Sequence, residues 1–358
     1  MNIRVPERRP SDQTQDDSVQ AFQVDALDVR GRVARLGPVI DELLAHHDYP
    51  APVARLVAEA ATLAVLLGST LKDIGRFTLQ TQTDGPVDMI VVDIASPDRV
   101  RAYARYSEKR LAALNGGALK SGALLGHGHL AMTIEPGGEQ NRYQGIVALE
   151  GESLEEAAHR YFAQSEQIPT RLRLAVGEEL HAGEEKPTWR AGALLVQFLP
   201  KETERAIQAD LDPGDAPDDY EPHEIDEDDA WVEAQSLAET VEDHELLDPT
   251  LSSERLLWRL FNERGVRVFD TLSVTAQCSC SREKVASVLS SFPAEERADM
   301  AEDGRVAVTC EFCGRLYEFT PDELADKGGV VISPAAGRVG PERLKMPIPI
   351  PVLIARAR

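Results

Sequence analysis

Cysteine is scarce in this chain of 358 residues: there are four, and all of them lie between residues 278 and 313. Aromatic residues make up only 5%, and positive charge falls short of negative by 23, with 38 Lys and Arg against 61 Asp and Glu. A surface of that sign repels phosphate, which disfavours nucleic acid as a partner of the whole chain. The longest apolar stretch, around Ala60 to Leu67, is too short and too interrupted to span a bilayer. Met1 to Gln23 is polar and charged and lacks the apolar centre of a secretory signal, so a reducing, cytoplasmic setting with no membrane partner is expected. There is no Gly-x-Ser-x-Gly elbow, no phosphate-cradling glycine loop and no histidine after His244. These absences remove the commonest marks of a hydrolase, of a nucleotide-driven machine and of a mixed Cys/His metal site.

What is present is concentrated. The cysteines read Cys278-Ser279-Cys280, then 29 residues, then Cys310-Glu311-Phe312-Cys313. Zinc accepts four thiolates in a closed tetrahedron, and two close pairs far apart in sequence pin the loop between them. One zinc per chain, held by Cys278, Cys280, Cys310 and Cys313, is therefore expected. The Cys-x-Cys half is the unusual one, because a single spacer residue makes a tighter loop than the common two. Two roles stay open on the motif alone: a permanent staple for a small domain, or a latch whose thiolates are oxidised and release the metal.

The length suggests two or three domains, and a hydrophobic content of 42% is enough for a core. Residues 1–20 read as a disordered leader. Residues 21–200 read as one α+β domain with a mainly antiparallel sheet. Helical spacing covers Asp41–His47 and Val53–Lys72, the second rich in Ala and Leu and largely buried. Strand patterns cover Phe77–Thr81, Met89–Asp93, Val100–Tyr106, Leu130–Ile134, Tyr143–Leu149, Leu172–Val176 and Ala191–Phe198. Loops are marked by Gly116-Gly117 and Gly126-His127-Gly128, and a helix opens at the Ser153/Glu156 capping box and runs to about Ser165. Hairpins outnumber strand–helix–strand units, hence the antiparallel sheet.

From Glu202 to Glu245 there are 18 acidic residues and one basic, Arg205. The part 201–230, broken by Pro213, Gly214, Pro217 and Pro222, reads as a solvated acidic insert. Residues 231–264 read as a helical linker: Trp231–Leu247, with Val232, Ala234, Leu237, Ala238 and Val241 on one face, then Ser253–Phe261. Residues 265–327 form the small four-cysteine zinc domain. It is expected to begin with a strand at Val266–Phe269. A helix capped by Ser281 turns Val285, Val288 and Leu289 inward, and a second runs over Ala294–Glu302. Strand Val306–Thr309 leads into the cysteine knuckle, Gly314 serves its turn, Leu316–Phe319 returns, and Thr320-Pro321-Asp322-Glu323 starts a helix. Residues 328–358, with five basic residues and one acidic, read as a disordered Pro-rich tail, against the alternative of a self-docking apolar strand.

This order of parts resembles the redox-regulated thirty-three-kilodalton heat-shock chaperone family of bacteria. The resemblance is carried by Thr81-Gln82-Thr83-Asp84-Gly85-Pro86, by Arg142 to Gly151 (RYQGIVALEG), by Ser165 to Arg171 (SEQIPTR), by Cys278-Ser279-Cys280-Ser281-Arg282-Glu283 and by Cys310-Glu311-Phe312-Cys313-Gly314. It covers roughly residues 22–327. The acidic insert and the tail are additions that remove no matched residue. The resemblance implies an ATP-independent holdase rather than an enzyme, inactive while reduced and zinc-bound. Oxidation would form Cys278–Cys280 and Cys310–Cys313 disulfides, release zinc, unfold the zinc domain and linker, and expose a surface for unfolding client proteins, often as a homodimer.

Other classes fit less well. A zinc-ribbon nucleic-acid binder needs basic residues at the knuckle, but Arg282, Lys284 and Arg315 are offset by Glu283, Glu295, Glu296, Asp299 and Glu311. A thiol oxidoreductase needs Cys-x-x-Cys at a helix start, whereas here Gly314 and a strand follow it. A hydrolase built on His127 or His129 lacks an accompanying nucleophile motif.

Overall fold

The computed structural model describes residues 16–71, 74–95, 98–114, 120–137, 142–180, 187–199, 228–301 and 304–325, and the backbone of 353–354. The chain forms two compact units, Met1–Gln277 and Cys278–Arg358.

In chain order the first unit comprises β1 (Ser18–Val24), β2 (Val29–Leu36), α1 (Pro38–Ala45), α2 (Ala51–Gly68), β3 (Ile74–Thr83), β4 (Val87–Ala95), β5 (Arg99–Tyr106), α3 (Glu108–Ala113) and α4 (Ser121–Leu125). It continues with β6 (His127–Pro136), β7 (Tyr143–Glu150), α5 (Leu154–Tyr161), β8 (Thr170–Glu179), β9 (Thr188–Phe198), α6 (Asp229–Glu239), α7 (Asp243–Leu247), α8 (Ser253–Phe261), β10 (Arg267–Ser273) and β11 (Thr275–Ala276). Five strands form one sheet in the order β10-β1-β2-β9-β8, and six form another in the order β11-β5-β4-β3-β6-β7. Their pairings are antiparallel apart from the short β11–β5 contact.

Helix α2 explains how the sheets are joined. Its sequence is apolar on nearly every face, and a helix of that kind must be enclosed. It packs against strands of both sheets, and 78% of its residues are buried. By length and composition α2 could cross a membrane, but its surroundings are the two sheets. Its two charges have local partners: Arg55 donates to the Val176 carbonyl at 2.5 Å, and the Ser121 hydroxyl donates to Glu59, whose carboxyl is held above its ordinary range by burial.

The five-stranded sheet is covered on both faces. Along β9, Ala191, Ala193 and Leu195 join the core around α2, while Leu194, Val196 and Phe198 join a second core. The two-residue period of a strand separates the sets. The second core adds Phe22, Val24, Val29 and Val33 from β1 and β2, and is closed by Trp231, Ala234, Ala238, Val241, Leu246, Leu256, Leu257, Leu260 and Phe261 from α6, α7, α8 and the segments joining them. The linker is thus the outer layer of the first unit.

Several expectations change. Within the segment read as a leader to residue 20, the described residues 16–20 are part of the fold: Asp16 pairs with Arg190, Asp17 accepts from the Gly37 and Val39 amides at the start of α1, and Ser18 opens β1. Domain 21–200 therefore starts earlier. The signal was masked because β1 buries polar residues, Ser18 and Gln20. The linker helix read over Trp231–Leu247 breaks into α6 and α7, where Glu242 and Glu245 cap α7 reciprocally. It also starts at Asp229, inside the segment read as insert, because the Asp228 side chain caps it through the Ala230 amide. Val232, placed on its apolar face, is 40% exposed, and Leu237 is half-buried. The strand expected at Val266–Phe269 exists as β10, but it pairs with β1 in the first unit, so the boundary read at 265 lies at 277/278. A helix read to Lys72 stops at Gly68, and the one read to Ser165 ends as a π-turn over Phe162–Glu166. Residues 201–227 of the insert lie outside the described residues.

The second unit contains α9 (Arg282–Ser290), α10 (Ala294–Asp299), β12 (Val306–Cys310), β13 (Leu316–Phe319), α11 (Pro321–Ala325) and β14 (Leu353–Ile354). β12 pairs with β13 on one side and with β14 on the other, both antiparallel. Ser281 caps α9 through the Lys284 amide, and Thr320 and Glu323 cap α11 reciprocally. The inner face of α9 is Val285, Ala286 and Leu289, with Val288 only half-buried. Within the tail read as disordered, Leu353–Ile354 form β14 on β12, which is the self-docking alternative at those two residues; the Pro-rich run Met346–Pro351 lies outside the described residues.

Candidate metal centre and linker seat

β12 delivers Cys310 at its end, and the chain reverses through Glu311-Phe312-Cys313 into β13. Two hydrogen bonds close the turn, Gly314 N–H to the Cys310 carbonyl at 2.8 Å and Cys310 N–H to the Arg315 carbonyl at 2.9 Å. Gly314 sits at φ 64°, a left-handed conformation that side chains disfavour. The reversal points amides at sulfur: Phe312 and Cys313 N–H donate to Cys310 Sγ, and Arg315 N–H donates to Cys313 Sγ. Cys278-Ser279-Cys280 approaches ahead of α9, and Lys284 Nζ donates to the Ser279 carbonyl at 2.7 Å.

The four Sγ atoms all lie within 4.8 Å of one another. The two recorded sulfur contacts, Cys278–Cys310 at 3.7 Å and Cys280–Cys313 at 3.4 Å, run across the sequence pairs. A tetrahedron with Zn–S bonds of about 2.3 Å has edges of about 3.8 Å. The spacing is therefore that of one ion held by four sulfurs. Protonation points the same way. Cys310 is pushed up by sharing a proton with Cys278 and by burial, and Cys313 is pushed up to about 11, chiefly by burial. Thiols crowded without a counter-charge keep their protons, and a dication at their centre reverses that preference. A closed, all-sulfur donor set with supporting amides fits a structural zinc ion.

One side chain joins the cluster that sequence reading missed. Tyr317 Oη donates to Cys280 Sγ at 3.1 Å. Alternation along β13 signals that Tyr317 and Phe319 point inward, but nothing local links Tyr317 to a sulfur 37 residues away. Arg315 is hydrogen-bonded to Tyr317 beside the sulfurs, Arg282 pairs with Glu323 at 3.0 Å and lies over the Phe319 ring, and Arg305 pairs with Glu318 at 3.1 Å. His127 and His129, read as loop residues, begin β6; His127 is exposed, with Asp84 4.0 Å away.

In the first unit the linker is seated by two arginines. Arg35 of β2 is 3% exposed and donates to the carbonyls of Glu245 at 2.8 Å, Leu246 at 3.2 Å and Asp248 at 3.0 Å. These groups sit at the C-terminal end of α7, where unpaired carbonyls favour a cation. Arg35 is held down at about 10 by burial and then by Arg190. Arg190 of β9 donates to the Leu247 carbonyl at 2.8 Å and forms a two-pronged pair with Asp16 at 2.6 and 3.0 Å. Between them Gly192 lets α7 lie on the sheet backbone, since a Cβ there would stand 2.4 Å from the Leu246 carbonyl oxygen.

Comparison with known proteins gives a consistent picture. The family model described as Hsp33 protein matches residues 17–320. The 33 kDa chaperonin of Caulobacter vibrioides (strain NA1000) is 46% identical over 309 residues, covering 86% of this chain and 95% of that protein. The 33 kDa chaperonin of Azotobacter vinelandii is 37% identical over 326 residues, covering 90% and 98%. A crystal structure of the 33 kDa chaperonin from Thermotoga maritima shares the fold, with a TM-score of 0.67 at 22% identity over 86% of this chain and 97% of that one.

Proposed function

The chain belongs to the Hsp33 family of chaperones, and from that premise we propose that it is a redox-regulated, ATP-independent holdase of the cytoplasm. The observation that carries this reading is the gathering of Cys278, Cys280, Cys310 and Cys313 at one point. Bound there, one zinc ion per chain would brace the second unit, a contribution on the order of 10–16 kcal/mol for small zinc modules. As thiolates the four sulfurs are both ligands and reductants. Once paired in Cys278–Cys280 and Cys310–Cys313 disulfides they no longer hold a dication. Near neighbours stay adjacent when the loop between the pairs opens, which favours this pairing although the recorded sulfur contacts run across it.

Release would reach the linker along the chain. A single residue, Gln277, separates β11 from Cys278, and β10 and β11 follow the linker directly. Loss of order beyond Cys278 would loosen these two edge strands, then α6 to α8, uncovering Phe22, Val33, Leu194 and Val196 on the five-stranded sheet. Such an apolar face suits unfolding client proteins and a second oxidised copy of the chain. Neither a catalytic nor a nucleic-acid role is part of this reading: Arg282 and Arg305 are matched with carboxylates, and Arg315 is turned to Tyr317.

The test is suppression of aggregation of a thermally unfolding client without nucleotide, alongside zinc content and thiol count. The reduced protein should hold one zinc and suppress little; after peroxide it should lose zinc and four thiols and suppress strongly. Equal suppression by both forms overturns the redox reading.

A further inference from the structure

We propose that Tyr317 is a positioning residue of the thiol cluster, its hydroxyl restraining Cys280 so that the oxidant threshold of the cluster is set by one side-chain hydrogen bond. This rests on the redox reading above. The geometry is specific. Tyr317 is 7% exposed and its Oη lies 3.1 Å from Cys280 Sγ. A thiolate can only accept, so in the ligand state the phenol is the donor.

The two halves of the cluster obtain donors differently. The Cys-x-x-Cys knuckle supplies its own: Phe312 and Cys313 amides to Cys310, and the Arg315 amide to Cys313. Those come with the backbone turn, and a change of side chain short of proline leaves them in place. Cys278-Ser279-Cys280 has one spacer residue and leads straight into α9, where the Ser281 hydroxyl oxygen accepts from the Lys284 amide as helix cap. Cys280 instead draws on a side chain from β13, and that contact can be deleted.

The chemistry sets the sign. In the first step a sulfur lone pair attacks peroxide, the O–O bond breaks, and a sulfenic acid and hydroxide form. A second thiolate then displaces hydroxide from that sulfenic acid and the S–S bond forms. Two sulfurs lose two electrons in all, and one peroxide with two protons becomes two waters. A hydrogen bond to the attacking lone pair lowers its nucleophilicity, as outer hydrogen bonds to metal thiolates do. Removing it should therefore hasten attack at Cys280.

The experiment uses the full-length, reduced, zinc-loaded protein and hydrogen peroxide, with zinc release followed by a chromophoric chelator and thiols mapped by alkylation and peptide mass. Tyr317→Phe keeps the ring and deletes the donor. It should release zinc about three- to tenfold faster, the factor that one ordinary hydrogen bond supplies, with the gain in early oxidation falling on Cys280. Site-specific 3-fluorotyrosine at 317, a stronger donor of nearly the same shape, should slow release, and it serves if the Phe variant does not fold. Release at the parental rate, or acceleration spread equally over the four cysteines, overturns the proposal. Failure of the oxidised parent to suppress aggregation would overturn the chaperone switch instead and leave this rate ratio measurable.

Discussion

In the first unit, α2 is enclosed by two sheets and a second core lies under the linker, so most of its cohesion comes from apolar side chains. In the second unit the buried apolar set among the described residues is short: Val285, Ala286, Leu289, Val306, Val308, Phe312, Tyr317, Phe319 and Leu324. Four sulfurs sit among them. The contrast teaches that one chain can join a part held by large apolar cores to a part with a small one, and in the proposed switch the second depends on the metal its thiols hold. The linker belongs physically to the first part and, in that switch, functionally to the second.

The strongest way to break this comparison is Cys310→Ser. It should weaken metal binding by orders of magnitude and unfold the second unit while the first keeps its sheet signals. Chelator competition and amide NMR measure both. A folded second unit without metal would mean that its own core suffices. Next is Leu63→Ala in α2, a fully buried site, expected to cost the first unit about 2–5 kcal/mol. Metal affinity should not change; if it falls in step, the units are not separable.

Arg35→Met sharpens the place of the linker. It strips the cation from three carbonyls at the end of α7, at about 1–3 kcal/mol for a buried group left unpaired. Proteolysis between 240 and 264 should accelerate in the reduced protein with zinc content unchanged. Unaltered cleavage would show that apolar contacts alone seat the linker.

The smallest effect concerns pH. His159 on α5 accepts the Leu172 amide through Nε2 at 2.8 Å. Its pKa is lowered by burial and by Arg171 and Arg173, against Glu156. The unfolded chain then binds the proton more readily than the folded one, so this stability is complete above about pH 6.5 and is lost as pH falls below it. Thermal unfolding of the first unit between pH 8 and 5.5 should show a His159-dependent slope of at most about 1.4 kcal/mol per pH unit. His159→Gln retains an acceptor and should flatten the slope; a slope that persists assigns it to other groups.

Much of the molecule was legible in order. The cysteine spacing marked the four residues the fold brings together, and alternation or short apolar runs located seven strands of the two sheets. Two kinds of feature escaped. β1 and β2 carry buried Ser18, Gln20 and Arg35, so their patterns look polar although their environment is not. Val232 faces outward because it lies off the buried face of α6, which Trp231, Ala234 and Ala238 carry.

By itself the amino-acid sequence determined which residues are thiols, where periodicity turns from two to 3.6, and where caps such as Ser153, Ser281 and Thr320 start helices, since these depend on neighbours a few positions away. Only the tertiary structure decided that β10 pairs with β1, that Arg35 reaches carbonyls more than 200 positions later, and that Tyr317 meets Cys280. Local pattern states that a face is apolar or a group polar. Which distant partner satisfies it is settled by packing, where every buried donor and acceptor must be matched at once.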